Sequence, residues 1–565
     1  IDAVAASQSS SLDYAQFHVS NPDALEMMRL ADIEGKPEME GVYQCLRMVA
    51  STDLKHLASK LSEIIRTSVG LPARVATAKT VQRIVVLFGQ EAAPIAATLW
   101  RVVTPLLLDA SIATRMAFGS AAAALCRIST DAQAAKVILY VRDKYLQPDV
   151  SSDLSRSAAK CLLALFRETG DKLTRNLKEI CPIAFVGCCD EDAVTAALFS
   201  ELWSESALQD RSGLINYAAE LVLLTKERLE HSSWSCKTQG ARILREVALR
   251  LEGSSLPAPY ESLLPILWPA LGGRYWQGKA SFQLAFAALF SGYASVRLWR
   301  GAGSEVDMLT VCLSEVSKGD AAYRVSVWQS LLALTSFTGE GEIKIQIPDS
   351  PDSPESSSSW FLLLSECAKV LQHRPTSTAT SLDLGQESGS ERKSRKLDED
   401  NALQAYLLAY QVGCHLLQRL SVTGAAVLTA SSPVMTLFES LLQSLAEIPA
   451  TSRLPVIQGW LVCMETLFPS TSSSNSPVDS PMSWILAPNT PYLQRIWDEV
   501  VLVHCSDGYP ISVREVACDL LSMLYVHLTP ASQENGRKVM ERLKNSAISS
   551  GKMKTVADSV LRHSS

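Results

Sequence analysis

Gly273-Arg-Tyr-Trp-Gln-Gly278-Lys279 is the stretch of this 565-residue chain that comes nearest to a catalytic motif. It matches the first seven positions of a phosphate-binding loop, in which backbone N–H groups and a lysine cradle the phosphates of a nucleotide. The eighth position should be Ser or Thr, to hold magnesium, and here it is Ala280. Such a loop should also follow a β-strand, whereas Leu263 to Leu271 carries Pro265 and Pro269 within a helical pattern. Three bulky residues would crowd the phosphates. The segment therefore reads as a turn between helices, with Trp276 packing across a repeat junction.

Other chemistry-bearing residues fare no better. The eight histidines (His18, His56, His231, His373, His415, His504, His527 and His563) form no H-E-x-x-H or other ligand spacing. Cys414-His415 and His504-Cys505 place neighbours on different helix faces. Cys181, Cys188 and Cys189 match no standard zinc-ligand pair and read as buried packing. No nucleophile elbow or positioned carboxylate pair is present in the pattern, so the chain reads as a non-enzyme with no catalytic, cofactor or metal residues. Ser350, Ser353, Ser476 and Ser480 each precede proline in polar surroundings. They are candidate phosphosites, where modification would add close to two negative charges each; the same tracts also serve as plain low-complexity loops. Arg392-Lys-Ser-Arg-Lys396 fits a nuclear import signal or a solvated loop.

The elements that must position all of this repeat. Arg74, Arg115 and Arg156 lie 41 residues apart, and each opens a small-residue helical segment. Two further steps of about that length reach Lys237, another reaches Lys279, and Arg324 follows; Arg514 in Ser512-Val-Arg-Glu-Val-Ala-Cys opens a similar segment. A period near 40 with helical patterning marks two-helix solenoid repeats, whose units bury their apolar faces only by stacking. Pro105, Pro182 and Pro265 recur in the first-helix segments, and a recurring helix kink selects HEAT units over tetratricopeptide or ankyrin ones. The expected fold is an all-α, superhelical HEAT-repeat α-solenoid of stacked antiparallel helix pairs. Asp109, Asp149 and Asp190-Glu-Asp192 sit in the short turns, from which acids could bridge to the basic residue of a neighbouring unit. Such a ladder is structural in character.

Composition agrees. A chain this long exceeds one globular core, yet no clear split into separate compact domains is evident, and a core growing in one dimension resolves the conflict. Apolar residues make up 47%, and 52 Lys and Arg against 59 Asp and Glu leave a net charge of −7. That balance argues against nucleic acid and against an anionic partner surface. Thirteen scattered cysteines without framework spacing point to a reducing compartment, cytoplasmic or nuclear. Apolar tracts such as Ile95 to Leu108 are interrupted by Arg101, so no membrane insertion is expected. The chain begins Ile-Asp-Ala and reads as a piece of a longer protein.

The organisation reads as a lead-in over 1–40, a HEAT array over 41–345 and HEAT-like helices over 401–468. A Ser/Pro-rich loop follows over 469–489, then C-terminal repeats and a charged cap over 490–565. Residues 346–400 are expected to be largely disordered with one short helix from Trp360 to Gln372, because their apolar content does not offset the ordering entropy.

Cys181-Pro-Ile-Ala-Phe-Val-Gly187, Leu198-Phe-Ser-Glu-Leu-Trp203, Ser233-Trp-Ser-Cys-Lys-Thr-Gln-Gly-Ala241 and Leu271-Gly-Gly-Arg-Tyr-Trp-Gln-Gly-Lys279 occur in this order. In order and spacing they resemble the C-terminal region of the proteasome adaptor and scaffold family, very large HEAT-repeat proteins. The resemblance runs from about Val69 to Lys279 and is mainly architectural beyond Arg324. It implies a parent that binds core or regulatory particles of the 26S proteasome, bridges them, and restrains faulty assemblies. It also implies links to vesicle, endomembrane and motor partners as an adaptor. A trafficking or nuclear-transport adaptor of the same architecture is the alternative.

Overall fold

The computed structural model describes residues 30–563 except 34, 110, 149, 170–175, 207–209, 272–273, 298–304, 319–320, 337–344, 347–358, 373–388, 422–432, 446–447, 468–491, 503, 507, 526–529 and 547–548. The fold is an all-α HEAT-repeat solenoid. One two-residue parallel strand pair, Ile345–Gln346 beside Leu420–Ser421, is the β-structure among the described residues. The expectation of no split is corrected, because contacts divide the chain into two compact units, Ile1–Leu267 and Trp268–Ser565. In a solenoid each repeat touches only its neighbours, so the contact network is thin along its length. The division falls inside the short helix Leu264–Leu271, which holds Pro265 and Pro269.

The first unit contains helices α1 (Pro37–Arg47), α2 (Leu54–Thr67), α3 (Leu71–Phe88), α4 (Ala93–Val103), α5 (Ile112–Ile128) and α6 (Asp131–Tyr145). It continues with α7 (Ser152–Thr169), α8 (Leu177–Cys188), α9 (Ala193–Ser206), α10 (Asp210–Asn216), α11 (Ala218–Glu230) and α12 (Trp234–Arg250). Second helices stack in a row, α3 on α5, α5 on α7 and α7 on α9, while α2 packs on α4 and α8 on α11. Small residues permit this close stacking: Ala113, Ala117, Ala121, Ala122 and Ala123 of α5 are all buried. The ends are set locally. Ser111 caps α5 by accepting from the Thr114 N–H, and Thr130 with Gln133 forms a capping box on α6. The apolar stretch Leu71–Leu108 has the length and composition to cross a membrane. It is broken into two helices at Gly89, whose φ of +52° favours glycine, and it carries Arg74, Lys79, Arg83 and Arg101.

Pro105 does not kink the interior of α4. It sits at the start of a 3₁₀ turn, Thr104–Leu108, that finishes the helix, whereas Pro182 lies inside α8. The turn delivers Asp109 to the mouth of the next helix.

The second unit repeats the alternation with α13 (Lys279–Gly292), α14 (Glu305–Glu315), α15 (Ala321–Thr335), α16 (Ser359–Gln372) and α17 (Gly389–Arg419). Then follow α18 (Pro433–Leu445), α19 (Leu454–Leu467), α20 (Ile511–Leu524), α21 (Pro530–Asn545) and α22 (Gly551–His563). One row runs α13, α15, α17, α19, α20, α22, and the other α14, α16, α18. Trp460 and Tyr410 anchor its core: the indole N–H donates to the Tyr410 hydroxyl at 2.8 Å, and that hydroxyl donates to Leu441 O at 2.9 Å. The tract before residue 400, expected to be disordered, is helical from Gly389 and includes Arg392–Lys396. Its Lys, Arg, Glu and Leu are strong helix formers, and propagation from the packed segment after residue 401 avoids a second nucleation step.

Candidate interaction surface

The recurring basic residue occupies the fourth position of α3, α5, α12, α15 and α20 as Arg74, Arg115, Lys237, Arg324 and Arg514, and the fifth position of α7 as Arg156. Lys279 is displaced to the first position of α13. Asp109 is a node between two repeats. Its carboxylate accepts from Arg74 Nη1 at 2.8 Å and from the Ser111 N–H at 3.0 Å, while its carbonyl accepts from Arg115 Nη1 at 2.6 Å. Asp192 repeats the design. It accepts from Arg156 Nη2 at 3.3 Å and from the Thr195 N–H and hydroxyl at 2.9 and 2.7 Å, capping α9. Those bonds, led by Thr195, hold its carboxyl below the usual range.

The row is not uniform. Counted 41 residues on from Arg156, α9 presents Ala197, so one repeat lacks the basic residue. Lys237 lies over the Trp234 ring, 5.1 Å from its centroid. Arg324 is half-buried, and Arg514 is buried beside Cys505 and Cys518. Asp149, Ser350, Ser353, Ser476 and Ser480 lie outside the described residues. A second rung, Arg142 to Glu179 at 2.6 Å, was not signalled by the 41-residue pattern because it joins first helices.

Lys279 of the phosphate-loop imitation faces inward. Gly278 caps α13 with φ +109°, and the lysine is fully buried, its Nζ 3.1 Å from Glu315. The Tyr323 hydroxyl donates to the same carboxylate at 3.0 Å. A side chain turned inward to a carboxylate is not presented to a phosphate. Trp276 packs edge-on against Phe282, 5.5 Å between centroids. Among the described residues no group of three or more His, Cys, Asp or Glu is placed to hold a metal ion. Cys181 and Cys189 are buried, and burial raises both thiols.

Two cavities open beside the ladder. One, about 400 Å³, lies among α3, α5 and α7 and contains Lys79, Arg115, Arg156 and Lys160 with Asp153. The other, about 370 Å³, holds Asp190, Glu191 and Asp192 opposite Arg228 and Arg242. Part of the second is bonded internally: Tyr145 donates to Asp190 at 2.7 Å, Gln239 to Tyr145 at 3.2 Å, and Arg242 pairs with Glu191 at 3.5 Å. Burial and then Asp190 push the Tyr145 phenol well above its ordinary range, keeping it a donor.

Three of the segments singled out in sequence, 181–187, 198–203 and 233–241, meet in the core of the first unit. A Cβ on Gly187 would fall 2.1 Å from the Phe199 ring, and one on Gly240 would fall 2.9 Å from Leu229. Phe185 packs on Trp203 at 5.0 Å, and Gln239 donates to Val186 O at 3.3 Å. The family model for the HEAT-repeat domain of the proteasome adapter and scaffold protein ECM29 matches residues 1–146. The human proteasome adapter and scaffold protein ECM29 is 27% identical over 312 residues, 54% of this chain and 17% of that protein. The chain is similar in sequence to the ECM29 proteins. The Saccharomyces cerevisiae proteasome component ECM29 is 19% identical over 279 residues, 49% of this chain and 15% of that protein. The chain thus spans about a sixth of the length of these curated relatives. A crystal structure of importin beta superposes over 95% of this chain and 69% of its own, at a TM-score of 0.43 and 12% identity. Gly187, Phe199, Trp203 and Gly240, which carry the resemblance to the ECM29 family, are packing residues in this fold.

Proposed function

We propose that this chain is a non-catalytic scaffold segment that binds the 26S proteasome and stabilises or checks its assembly. The observation that supports the reading is the sequence relation to proteins named proteasome adapter and scaffold over about half of the chain. A stack of helix pairs suits the role, because it offers a long surface to a large protein partner. Core-particle and regulatory-particle subunits are the proposed partners. Cytoplasm and nucleus are the proposed locations, with endomembrane association through vesicle or motor adaptors.

The test is capture of purified core, regulatory and 26S particles by the purified chain, with cross-linking and mass spectrometry. Cross-links from defined repeats to proteasome subunits are expected. Failure to retain any particle would sink the reading. Recovery of transport or vesicle factors instead, in a parallel capture from lysate, would favour the trafficking-adaptor alternative.

A further inference from the structure

We propose that the second cavity, enclosed by α6, α7, α11, the α8–α9 turn and the start of α12, binds a free α-amino acid in its zwitterionic form. The inference goes beyond the scaffold reading and does not depend on it, because the ligand is a small molecule and not a protein partner. The charged side chains of the wall are Asp190, Glu191, Asp192, Arg228 and Arg242. Glu191 is paired with Arg242 at 3.5 Å and Asp192 with Arg156 at 3.3 Å, which leaves Arg228 and Asp190. Among the described residues no carboxylate lies within 4.0 Å of Arg228 and no cation within 4.0 Å of Asp190.

Arg228 is 7% exposed, and a guanidinium so buried is normally matched by a carboxylate. Here Nη1 donates to the Cys236 thiol at 3.1 Å, a weak acceptor. Nε and Nη2 are not sealed inside protein and open on the cavity. Asp190 is held in place by the Tyr145 hydroxyl at 2.7 Å on one oxygen and by the Asp192 N–H at 2.9 Å on the other, and each oxygen keeps a second lone pair. A lone anion would be attracted by Arg228 and repelled by Asp190, and a lone cation the reverse. A zwitterion answers both: its carboxylate meets the guanidinium fork and its ammonium donates to Asp190. The volume, about 370 Å³, lies at the small end of ligand pockets, which run from about 300 to 1,000 Å³. Gln147, Ser152 and Ser235 on the remaining wall suit a polar, uncharged side chain such as that of glutamine.

The experiment is equilibrium dialysis of the whole chain against radiolabelled L-glutamine. The competitors are N-acetyl-L-glutamine, which lacks the ammonium, and L-glutamine α-amide, which lacks the carboxylate. L-glutamine should bind, and each analogue should compete more weakly by about tenfold or more. Asp190→Asn keeps an acceptor for Tyr145 and removes the negative charge, while Arg228→Gln removes the positive one; each should weaken L-glutamine by about tenfold or more. The analogues are read on the unmodified chain, so a variant that fails to fold leaves the test standing. No binding of L-glutamine would mark Arg228 and Asp190 as a pair bridged by solvent and overturn the proposal. Equal competition by either analogue, or full affinity in Asp190→Asn, would overturn it as well.

Discussion

Replacing Lys279 by alanine should destabilise the first part of the second unit. Its ammonium is 3.1 Å from Glu315, with the two side chains 0% and 5% exposed. At an effective dielectric near 20, that separation corresponds to about 5 kcal/mol of attraction, most of it offset by desolvation of the two charges. Removing one partner forfeits the attraction but leaves the other charge buried, which costs about 3–5 kcal/mol in such pairs. Lys318, 3.6 Å from the same carboxylate but largely exposed, partly compensates, so the lower end applies. A loss of about 3 kcal/mol raises the exchange of the best protected amides of α13 and α15 by roughly a hundredfold if they open together. Hydrogen exchange with mass spectrometry reads this locally, which suits a repeat protein whose global unfolding is not two-state. An apolar triple variant, Lys279→Met with Glu315→Leu and Tyr323→Phe, should return to within about 1 kcal/mol of the parent. Exchange in Lys279→Ala close to the parent's, or a triple variant no better than the single one, would refute the argument.

Three further outcomes are expected. Gly187→Ala should destabilise by about 1–3 kcal/mol through collision with Phe199, whereas Gly119→Ala, with nothing within 4 Å of the new methyl, should stabilise by about 0.5–1 kcal/mol; denaturant midpoints that move in the same direction would contradict this. Arg453 Nη1 donates to His504 Nε2 at 3.0 Å, which leaves Nδ1–H to donate to Val500 O at 2.5 Å and makes the ring neutral. Burial, with Arg453 adding to it, lowers its pKa from 6.5 to about 4, so its contribution is complete above about pH 6.5 and lost as pH falls toward 4. Melting temperature of the second unit should therefore drop across that window, and less so in His504→Gln. Finally, maleimide should label Cys45 first, since it is exposed while thiols such as Cys161, pushed up to about 12 by burial, are shielded; equal labelling of Cys45 and Cys161 in the native chain would count against it.

Some of this was legible from residue order. The period of Arg74, Arg115 and Arg156 specifies two-helix repeats, because a basic residue at a constant offset from each small-residue helix requires a structural unit that recurs at that length. The phosphate-loop match was also disfavoured at that level, by Ala280 and by the prolines before the loop. The charged run before residue 400 misled, because composition reports the cost of ordering a segment in isolation and α17 borrows its nucleus from the packed helix that follows.

Periodicity by itself determined the fold class, since apolar faces at helical spacing must be buried against a neighbour and a repeat must stack. Only tertiary structure decided which charges meet. Asp109 reaches both Arg74 and Arg115 because Pro105 ends α4 in a 3₁₀ turn, and Glu315 closes on Lys279 across 36 residues of chain. The basic cavity was hidden for the same reason. Net charge sums over the whole chain, whereas Coulomb interactions act over a few ångströms, and Lys79, Arg115 and Lys160 become neighbours only when successive second helices stack.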